Sequence, residues 1–401
     1  MSGIVVVGAG QAGSSLVAKL RSLGYDGKVT LIGEEHALPY QRPPLSKKYL
    51  LGEMELERLY LRPESFYAEN GIDLHLDETV TAIDRADKVV VAGGHSVPYD
   101  QLVLTTGSVP RRLPPAIGGM LDGVYVVRDL NDVDVMAPEF QPEKSVLIVG
   151  GGYIGLEAAA VAASKGLRVV LVEMADRILQ RVAAKETSDY FRQLHRRHGV
   201  DIREGVGLET LLGEGRVTGA RLSDGSEINV DFVIVGVGIA PATALAEAAG
   251  LAIENGIKVD ARGRTSDPSV WAAGDCASFP HEGSQMRLES VPNAIDMAEC
   301  VAENIMGAEK DYVPQPWFWS DQYDVKLQIA GLNIGYDRVV TRDSDGGVSF
   351  WYFKGDRLLA VDAANDARAY MVGKRLIDSG KTAAPDVVSD PETDLKALLK
   401  A

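Results

Sequence analysis

The sequence predicts an α/β protein that contains two tandem βαβ folds and a smaller α+β domain after them. An apolar segment of strand length, a glycine-rich turn and a helical pattern follow one another twice along the chain. A series of short strand patterns then fills the C-terminal region. The chain has 401 residues, which is more than one ordinary hydrophobic core holds and indicates several domains.

Each βαβ fold is predicted from buried strands and from a helix with apolar residues at helical spacing. In the first fold the strands are Ile4–Val7, Val29–Ile32 and Leu102–Leu104, and the helix covers Ser14–Leu23. In the second fold the strands are Ser145–Val149, Val169–Val172 and Phe232–Val235, and the helix covers Gly155–Lys165. This recurrence indicates two separate nucleotide-binding folds.

The character of the sequence changes after Pro314–Pro316, where Trp317–Trp319 places aromatic residues in succession. Gly and Asp turns separate the next predicted strands, and a helix follows them. These elements are Lys326–Ala330, Arg338–Thr341, Val348–Phe353, Arg357–Asp362 and the helix Ala367–Ser379. We therefore predict one domain from residues 1–108 and 242–316, a second from residues 109–241 and a third from residues 317–401.

The composition is that of a globular protein, with 46% hydrophobic and 24% charged residues. A formal net charge of −16 argues against nucleic acid or an anionic membrane as the main partner. The sequence shows neither an apolar run of transmembrane length nor the pattern of a signal peptide. These observations predict a cytoplasmic protein.

The two cysteines, Cys276 and Cys300, do not form a Cys-x-x-Cys motif. We expect neither a disulfide scaffold nor a redox-active dithiol, and we expect Cys276 to be buried and Cys300 to lie on a helix.

The first glycine fingerprint is Gly8–Gly13, between a strand and a helix. Gly8 permits a tight turn, Gly10 admits a pyrophosphate to the backbone, and Gly13 allows close packing of the helix on the strand. Ala12 lies within the motif and is included in the predicted site. Glu34 ends the second strand, where an acidic residue accepts from a ribose hydroxyl, and Glu35 follows it as a spare.

The second fingerprint has the same layout, and its members are Gly150, Gly152, Tyr153, Ile154 and Gly155. Its second strand ends at Glu173, and a carboxylate there favours NADH because it repels the 2′-phosphate of NADPH. Arg177 and Arg181 are expected to contact the adenine or the diphosphate. Two sites in one chain need two dinucleotides, and a flavin with a nicotinamide is the natural pair for hydride transfer.

Further motifs resemble the flavoprotein reductases that have two dinucleotide-binding domains. They are Thr105–Gly107, Gly236–Pro241 and Trp271–Asp275, and three more narrow the resemblance: Arg42–Lys47, Arg287–Ala294 and Pro316–Tyr323. Together they resemble the NADH-dependent ferredoxin reductases of bacterial oxygenase systems over nearly the whole chain. The resemblance implies FAD in the first fold, NADH in the second, and a glutathione-reductase-like architecture.

The resemblance implies that Lys47 lies near flavin N5 with Glu157 as its ion-pair partner. An ion pair there would orient the rings and moderate charge as the hydride arrives. Without the resemblance, Lys47 is a solvated charge and Glu157 a residue on a helix surface.

Other cofactor contacts are implied in the same way. Asp275 would accept from the ribityl or pyrophosphate region of FAD, or cap a helix, or both. A helix that begins near Asn293, after Pro292, would point its positive end at the flavin N1–C2 edge. Trp319 would lie against the flavin and Tyr323 near it, or both would be core aromatics. The remaining implied contacts are Arg42, Thr106, Gly107, Arg128, Val291 and Gly238.

His195 and His198 are spaced as on one helix face, but neither a carboxylate nor a cysteine accompanies them at ligand spacing. We interpret them as part of a solvated basic helix face and predict no metal site.

The absence of a dithiol favours direct electron transfer from flavin to a protein partner. The resemblance implies a two-iron, two-sulfur ferredoxin that binds transiently through local basic residues and serves a haem monooxygenase or a related oxygenase. Candidate docking residues are Arg287, Lys326, Arg338, Lys374 and Arg375. A monomer is expected. The alternatives are a rubredoxin reductase or another NADH-dependent reductase on the same scaffold, and an NADH-sensing flavoprotein that resembles apoptosis-inducing factor.

Overall fold

The computed structural model describes residues 3–400, which form two compact units. The first unit comprises the chain up to Arg42, Glu55–Val109 and Ile239–Pro316. The second comprises Pro43–Met54, Pro110–Gly238 and the chain from Trp317. The division into three domains stays a prediction, and by its contacts the segment Pro43–Met54 belongs to the second unit.

The chain up to Pro110 opens with the strand, helix and strand that the sequence predicts. Its elements are β1 (Gly3–Val7), α1 (Gln11–Ser22), β2 (Val29–Ile32), α2 (Glu64–Glu69), β3 (Ile72–His75), β4 (Val80–Asp84), β5 (Val89–Ala92), β6 (His95–Leu104) and β7 (Ser108–Pro110). A π-helical turn over Leu45–Tyr49 lies between β2 and α2.

The next stretch repeats this pattern and adds three short strands. Its elements are β8 (Val124–Tyr125), α3 (Leu130–Met136), β9 (Ser145–Val149), α4 (Tyr153–Ser164), β10 (Arg168–Glu173), α5 (Lys185–Arg197), β11 (Asp201–Glu204), β12 (Leu208–Leu212), β13 (Gly219–Leu222), β14 (Glu227–Asn229) and β15 (Phe232–Val235).

The chain then returns to the first unit and afterwards forms the C-terminal region. The returning elements are β16 (Ile239–Pro241), α6 (Ala244–Ala248), β17 (Ile257–Lys258), β18 (Val270–Ala272), β19 (Ala277–His281), β20 (Ser284–Met286) and α7 (Val291–Ile305). The C-terminal elements are β21 (Trp317–Gln322), β22 (Val325–Gly331), β23 (Arg338–Ser344), β24 (Gly347–Lys354), β25 (Arg357–Ala364), α8 (Ala367–Asp378) and α9 (Pro385–Ser389).

The main sheet of the first unit has the order β3-β2-β1-β6-β5-β4, and β18 also pairs with β6. Strand β1 runs parallel to β2 and β6, so Val7 aligns with Ile32 on one side and with Leu104 on the other. Helices α1 and α7 pack on this sheet through one apolar core, in which Leu16, Val17 and Leu20 of α1 are fully buried.

In the second unit a parallel sheet has the order β11-β10-β9-β15-β8. The C-terminal region of the same unit forms an antiparallel sheet, β21-β22-β25-β24-β23, against which α8 packs. Strand β21 contains the aromatic run Trp317–Trp319, for which no strand was predicted.

In each unit the turn after the first parallel strand, β1 or β9, lies at the carboxyl ends of the parallel strands, where α/β proteins bind ligands. No helix of the described chain is long and apolar enough to cross a membrane.

Candidate functional site

The first fingerprint turn is shaped by contacts that only glycine allows. Gly8 has a φ of +113°, and a Cβ there would lie 2.2 Å from the carbonyl oxygen of Thr105. A Cβ at Gly13 would lie 2.1 Å from the carbonyl oxygen of Gly8. A Cβ at Gly10, in contrast, would meet no atom within 4 Å. The turn is therefore closed at its two outer glycines and open at the middle one.

The second fingerprint has the same geometry at the matching positions. Gly150 has a φ of +107° and lies against Gly236, with 2.4 Å between a built Cβ and the carbonyl oxygen. A Cβ at Gly155 would lie 2.1 Å from the Gly150 oxygen, and one at Gly152 would meet nothing within 4 Å. The two turns are thus structural repeats as well as sequence repeats.

The open glycines mark cradles that fit a dinucleotide pyrophosphate. Helices α1 and α4 begin directly after Gly10 and Gly152, and neither helix has a side-chain cap. The N–H groups of their first turns and the helix dipole both favour a phosphate at these positions. An added side chain would occupy the space that the phosphate needs.

The carboxylates after β2 have different surroundings. Glu34 is exposed, whereas Glu35 accepts hydrogen bonds from Arg42 and from the hydroxyl of Tyr40. The guanidinium of Arg42 also lies 5.1 Å from the centre of the Tyr40 ring. Glu34 is therefore the more open of the two carboxylates, whereas Glu35 is held by Arg42 and Tyr40. That Glu34 accepts from a ribose, with Glu35 as a spare, stays a prediction.

Glu173 ends β10 and is fixed by the backbone. Its two oxygens accept from the N–H groups of Gly151 and Ala175, each at 2.8 Å. A carboxylate oxygen has two lone pairs, so each can still accept from a ribose hydroxyl. The side chain is thus held at the strand end where the sequence predicts a residue that distinguishes NAD from NADP.

The two arginines after β10 behave differently from one another. The guanidinium of Arg177 donates to the carbonyls of Ala183 and Ala184 and to the hydroxyl of Ser188. The expected nucleotide contact is therefore not supported for Arg177, because its nitrogens hold the start of α5. Arg181 is exposed, and its guanidinium lies 3.7 Å from a Cβ built on Gly238.

The structure brings Lys47 and Glu157 together, with 2.9 Å between Nζ and Oε1. The Glu157 side chain is only 3% exposed, which rules out a helix-surface position, and that of Lys47 is 14% exposed. The hydroxyls of Ser46 and Ser320 donate to the two carboxylate oxygens at 2.8 and 2.7 Å. Burial raises the pKa of Glu157, and the lysine and hydroxyls only partly offset this effect.

A buried chain of hydrogen bonds extends this cluster. The Nε2 atom of His195 lies 2.7 Å from Oε1 of Gln322, and the amide of Gln322 donates to Ser320 Oγ at 3.1 Å. Ser320 donates to Glu157, and with the carboxylate ionised each donor in the chain points toward Glu157. The hydroxyl of Tyr323 completes the chain at the other nitrogen of His195, 3.3 Å away.

The prediction of a solvated helix face is wrong for His195, which is completely buried. It shares the inner face of α5 with the buried residues Phe191 and Leu194. Burial lowers its pKa to about 4, so the ring is neutral. Tyr323 stacks on His198 with 3.6 Å between the ring centres, and the structure therefore places Tyr323 with these histidines.

Around the first turn, Thr105 Oγ1 donates to the Gly8 carbonyl at 2.8 Å and Thr106 Oγ1 to the Ala242 carbonyl at 2.7 Å. Gly107, with a φ of +69°, turns the chain after them. The next residue, Ser108, donates to Asp275 at 3.1 Å.

The helix-capping alternative for Asp275 is wrong, because the next element is strand β19 and not a helix. The residue follows Gly274, where a Cβ would lie 3.1 Å from that of Ala12. Asp275 and the first fingerprint helix α1 therefore lie close together in the first unit.

Helix α7 begins at Val291 and has Pro292 in its first turn. The Ser290 side chain caps it by accepting from the Asn293 N–H at 3.2 Å. The predicted start is thus two residues late, and the cap was missed.

The aromatic candidates pack on one another in the second unit. Trp319 stacks on Trp317 with ring centres 5.5 Å apart, and Tyr153 packs on Phe318 at 5.0 Å. The Tyr153 hydroxyl is buried and has no hydrogen-bond partner among the described residues. Burial raises its pKa well above the ordinary value.

The two remaining candidates are Ile154 and Arg128. Ile154 is 44% exposed. The Arg128 backbone N–H donates to the side chain of Asp132, which forms a capping box at the start of α3 with the N-cap residue Asp129.

Both cysteines are buried, Cys276 after β18 and Cys300 within α7, as predicted.

Sequence reasoning missed Ser46, Ser320, Gln322 and the role of His195. Ser320 and Gln322 alternate along β21 and are both buried, so a period of two was the available signal. Their partner Glu157 is distant in sequence, and no local pattern joins them.

The chain matches known proteins over its whole length. A family model described as pyridine nucleotide-disulphide oxidoreductase matches residues 2–298, and one described as reductase C-terminal matches residues 317–399. The chain is 44% identical to a ferredoxin–NAD(P)+ reductase of Sphingomonas sp, over 99% of this chain and 97% of that protein. It is 39% identical to putidaredoxin reductase of Pseudomonas putida, over 99% of this chain and 97% of that protein.

Among solved structures, the covalent putidaredoxin reductase–putidaredoxin complex is similar with a TM-score of 0.95 and 38% identity. The match covers 100% of this chain and 98% of that chain. These findings confirm the predicted fold class, an enzyme of the oxidoreductase class, and FAD and a nicotinamide dinucleotide as its cofactors. This chain belongs to the pyridine nucleotide-disulphide oxidoreductases, in the group of ferredoxin reductases that includes putidaredoxin reductase.

Proposed function

We propose that this protein takes a hydride from NADH and passes single electrons to a two-iron, two-sulfur ferredoxin that serves an oxygenase. The observation that carries the proposal is the presence of two open pyrophosphate cradles, at Gly10 and Gly152, in a chain without a dithiol. FAD, when bound, accepts a hydride and releases electrons one at a time. The residues of each unit bind and orient one dinucleotide.

FAD is assigned to the first unit. The cradle at Gly10, the exposed Glu34 and the neighbouring Asp275 would hold its pyrophosphate, ribose and ribityl regions. The capped N-terminus of α7 belongs to the same unit and supplies a positive dipole end.

NADH is assigned to the second unit. The cradle at Gly152 would hold its pyrophosphate, and Glu173 would accept from the adenosine 2′-hydroxyl. Because backbone N–H groups fix the carboxylate, it cannot turn away from a 2′-phosphate, and this supports a preference for NADH over NADPH.

The Lys47–Glu157 pair would set the charge and orientation at the reacting rings. Its two hydroxyl donors hold the carboxylate in one orientation, which holds the ammonium in place. The position of Lys47 beside flavin N5 stays a prediction from the resemblance.

The partner is proposed from the relatives. The likeness to a reductase that was solved in complex with putidaredoxin extends over the whole chain and supports a small iron–sulfur protein as acceptor. Of the candidate docking residues, Arg287 is only 11% exposed and pairs with Glu289, so it does not fit that role. Lys374 pairs with Asp378, but its side chain remains 21% exposed.

The other candidates, Lys326, Arg338 and Arg375, are exposed or partly exposed residues of the C-terminal region. They fit a transient, salt-dependent contact with an acidic ferredoxin. A monomer and a cytoplasmic location stay predictions.

A turnover experiment with cytochrome c as the final acceptor tests the proposal. With NADH and the FAD-loaded protein, cytochrome c reduction is expected only after a two-iron, two-sulfur ferredoxin is added. Ferricyanide, which takes electrons without a protein carrier, is the control for flavin reduction. Ferredoxin-independent reduction of cytochrome c, or a rate increase with rubredoxin and not with ferredoxin, would contradict the proposal.

A further inference from the structure

Two histidines and a glutamate meet in the first unit, where β3 ends and β6 begins. One ligand atom from each of His75, Glu78 and His95 lies within 4.8 Å of the other two. His75 Nδ1 is 3.2 Å from Glu78 Oε1, and His95 Nε2 is 3.7 Å from Glu78 Oε2. Two ligands that each lie about 2.1 Å from a tetrahedral zinc ion are about 3.4 Å apart. The observed separations are therefore close to those of a formed site.

The backbone holds these residues in place. The N–H of Gly33 donates to the His75 carbonyl at 2.8 Å, and the Gly33 carbonyl accepts from the Glu78 N–H at 3.0 Å. His95 follows a tight turn in which a Cβ at Gly93 would lie 3.3 Å from the Glu78 carboxyl carbon and 3.4 Å from His95. Because Gly93 has no side chain, the turn can approach the Glu78 carboxylate, and His95 is the first residue after this turn.

A second carboxylate orients the first histidine. Asp73 lies 3.2 Å from His75 Nε2, on the opposite side of the ring from Glu78. When Nε2–H donates to Asp73, Nδ1 has a free lone pair directed toward Glu78. Histidines that bind metals usually donate their other N–H to a carboxylate in this way.

The carboxylate of Glu78 is not fully satisfied. Its Oε2 atom is buried and has no hydrogen-bond partner within the described part of the chain. A buried acceptor without a partner costs free energy that a bound cation would recover.

We propose that His75, Glu78 and His95 form a binding site for Zn2+ or a similar first-row transition-metal ion. Two imidazoles and one carboxylate are a common zinc set, with water in the fourth position, whereas Mg2+ and Ca2+ prefer oxygen ligands. The bound ion links the end of β3 to the hairpin between β5 and β6, and it stabilises the first unit. The site lies outside the fingerprint glycines and does not depend on the proposed function.

Titration calorimetry of ZnCl2 into the EDTA-treated, FAD-loaded protein tests the site, at physiological ionic strength so that diffuse charge is screened. Saturation at one Zn2+ per chain is expected, without displacement by excess Mg2+. Glu78→Gln and His95→Gln should each weaken binding at least about tenfold, and Asp73→Asn by about 10–100-fold. The melting temperature of the parent protein should rise with zinc, and that of Glu78→Gln should not.

His281→Gln is the matched control, because His281 is a partly buried histidine of the same unit outside the cluster. Its zinc affinity should equal that of the parent protein, and all variants should retain full FAD content. The absence of stoichiometric binding, or equal affinity in Glu78→Gln, His95→Gln and the control, would overturn the proposal.

Discussion

Replacing Glu157 by Gln removes the charge opposite Lys47 and keeps the shape of the side chain. Truncating one partner of a fully buried ion pair costs about 3–5 kcal/mol. Lys47 is 14% exposed, so water can solvate part of the released ammonium and reduce that cost. Burial destabilises the charged form of Glu157 and raises its pKa, so removing this charge recovers a further part of the cost. We therefore expect a loss of about 1–3 kcal/mol in the free energy of unfolding.

The same change should slow the transfer of hydride from NADH. If the pair orients the rings, a loss of about 1.4 kcal/mol of transition-state stabilisation corresponds to a tenfold slower step. Stopped-flow measurement of flavin bleaching gives this rate, and urea unfolding gives the stability. Glu186→Gln, at an exposed glutamate of α5, is the control and should change stability by less than about 0.5 kcal/mol. Wild-type values for both rate and stability in Glu157→Gln would refute the reasoning.

Three other predictions concern single residues. Glu173→Ala should reduce the preference for NADH over NADPH, in kcat/KM, by at least about tenfold, and unchanged selectivity would exclude this residue as the determinant. Burial raises the pKa of Asp362 to about 6, so the folded state keeps a proton that the unfolded state loses, and stability should fall as pH rises from about 4 to about 6. Asp362→Asn should lack this loss, which amounts to about 3 kcal/mol, and parallel pH profiles of the urea midpoint would contradict the assignment. Burial lowers the pKa of His195 to about 4, so the unfolded state binds a proton that the folded state does not, and stability should fall as pH falls from about 6.5 to about 4. In the same assay, His195→Gln should lose less stability over this pH range.

The sequence could predict features that depend on neighbouring residues. The fingerprint at Gly8–Gly13 contains its own turn, its helix start and its contact between the outer glycines, so its geometry follows from local chemistry. The central parallel strands such as β1 and β9 were also predictable, because buried parallel strands are continuous apolar runs. The edge strands β3 and β11 are only partly buried and mix polar with apolar residues, so they lacked this pattern.

The environment of Glu157 could not be predicted in this way. Ser46 and Ser320 reach the carboxylate from segments far away in sequence. No local sequence pattern links either serine to Glu157. The burial of His195 could have been predicted from the sequence. Phe191 lies four positions before it on the same helix face, and Leu194 directly precedes it. The charged neighbours Arg196 and Arg197 outweighed that signal.

The most direct test of the central claim is the behaviour of Gly10→Leu and Gly152→Leu, since each adds a side chain to an open cradle at a position where a Cβ meets no atom within 4 Å. Flavin content and flavin reduction by NADH are measured for both variants, with circular dichroism as the check on folding. Gly10→Leu should fold and lack FAD, whereas Gly152→Leu should retain FAD that NADH no longer reduces at low concentration. Full flavin content in Gly10→Leu, or normal reduction by NADH in Gly152→Leu, would contradict the assignment of separate tasks to the two fingerprints.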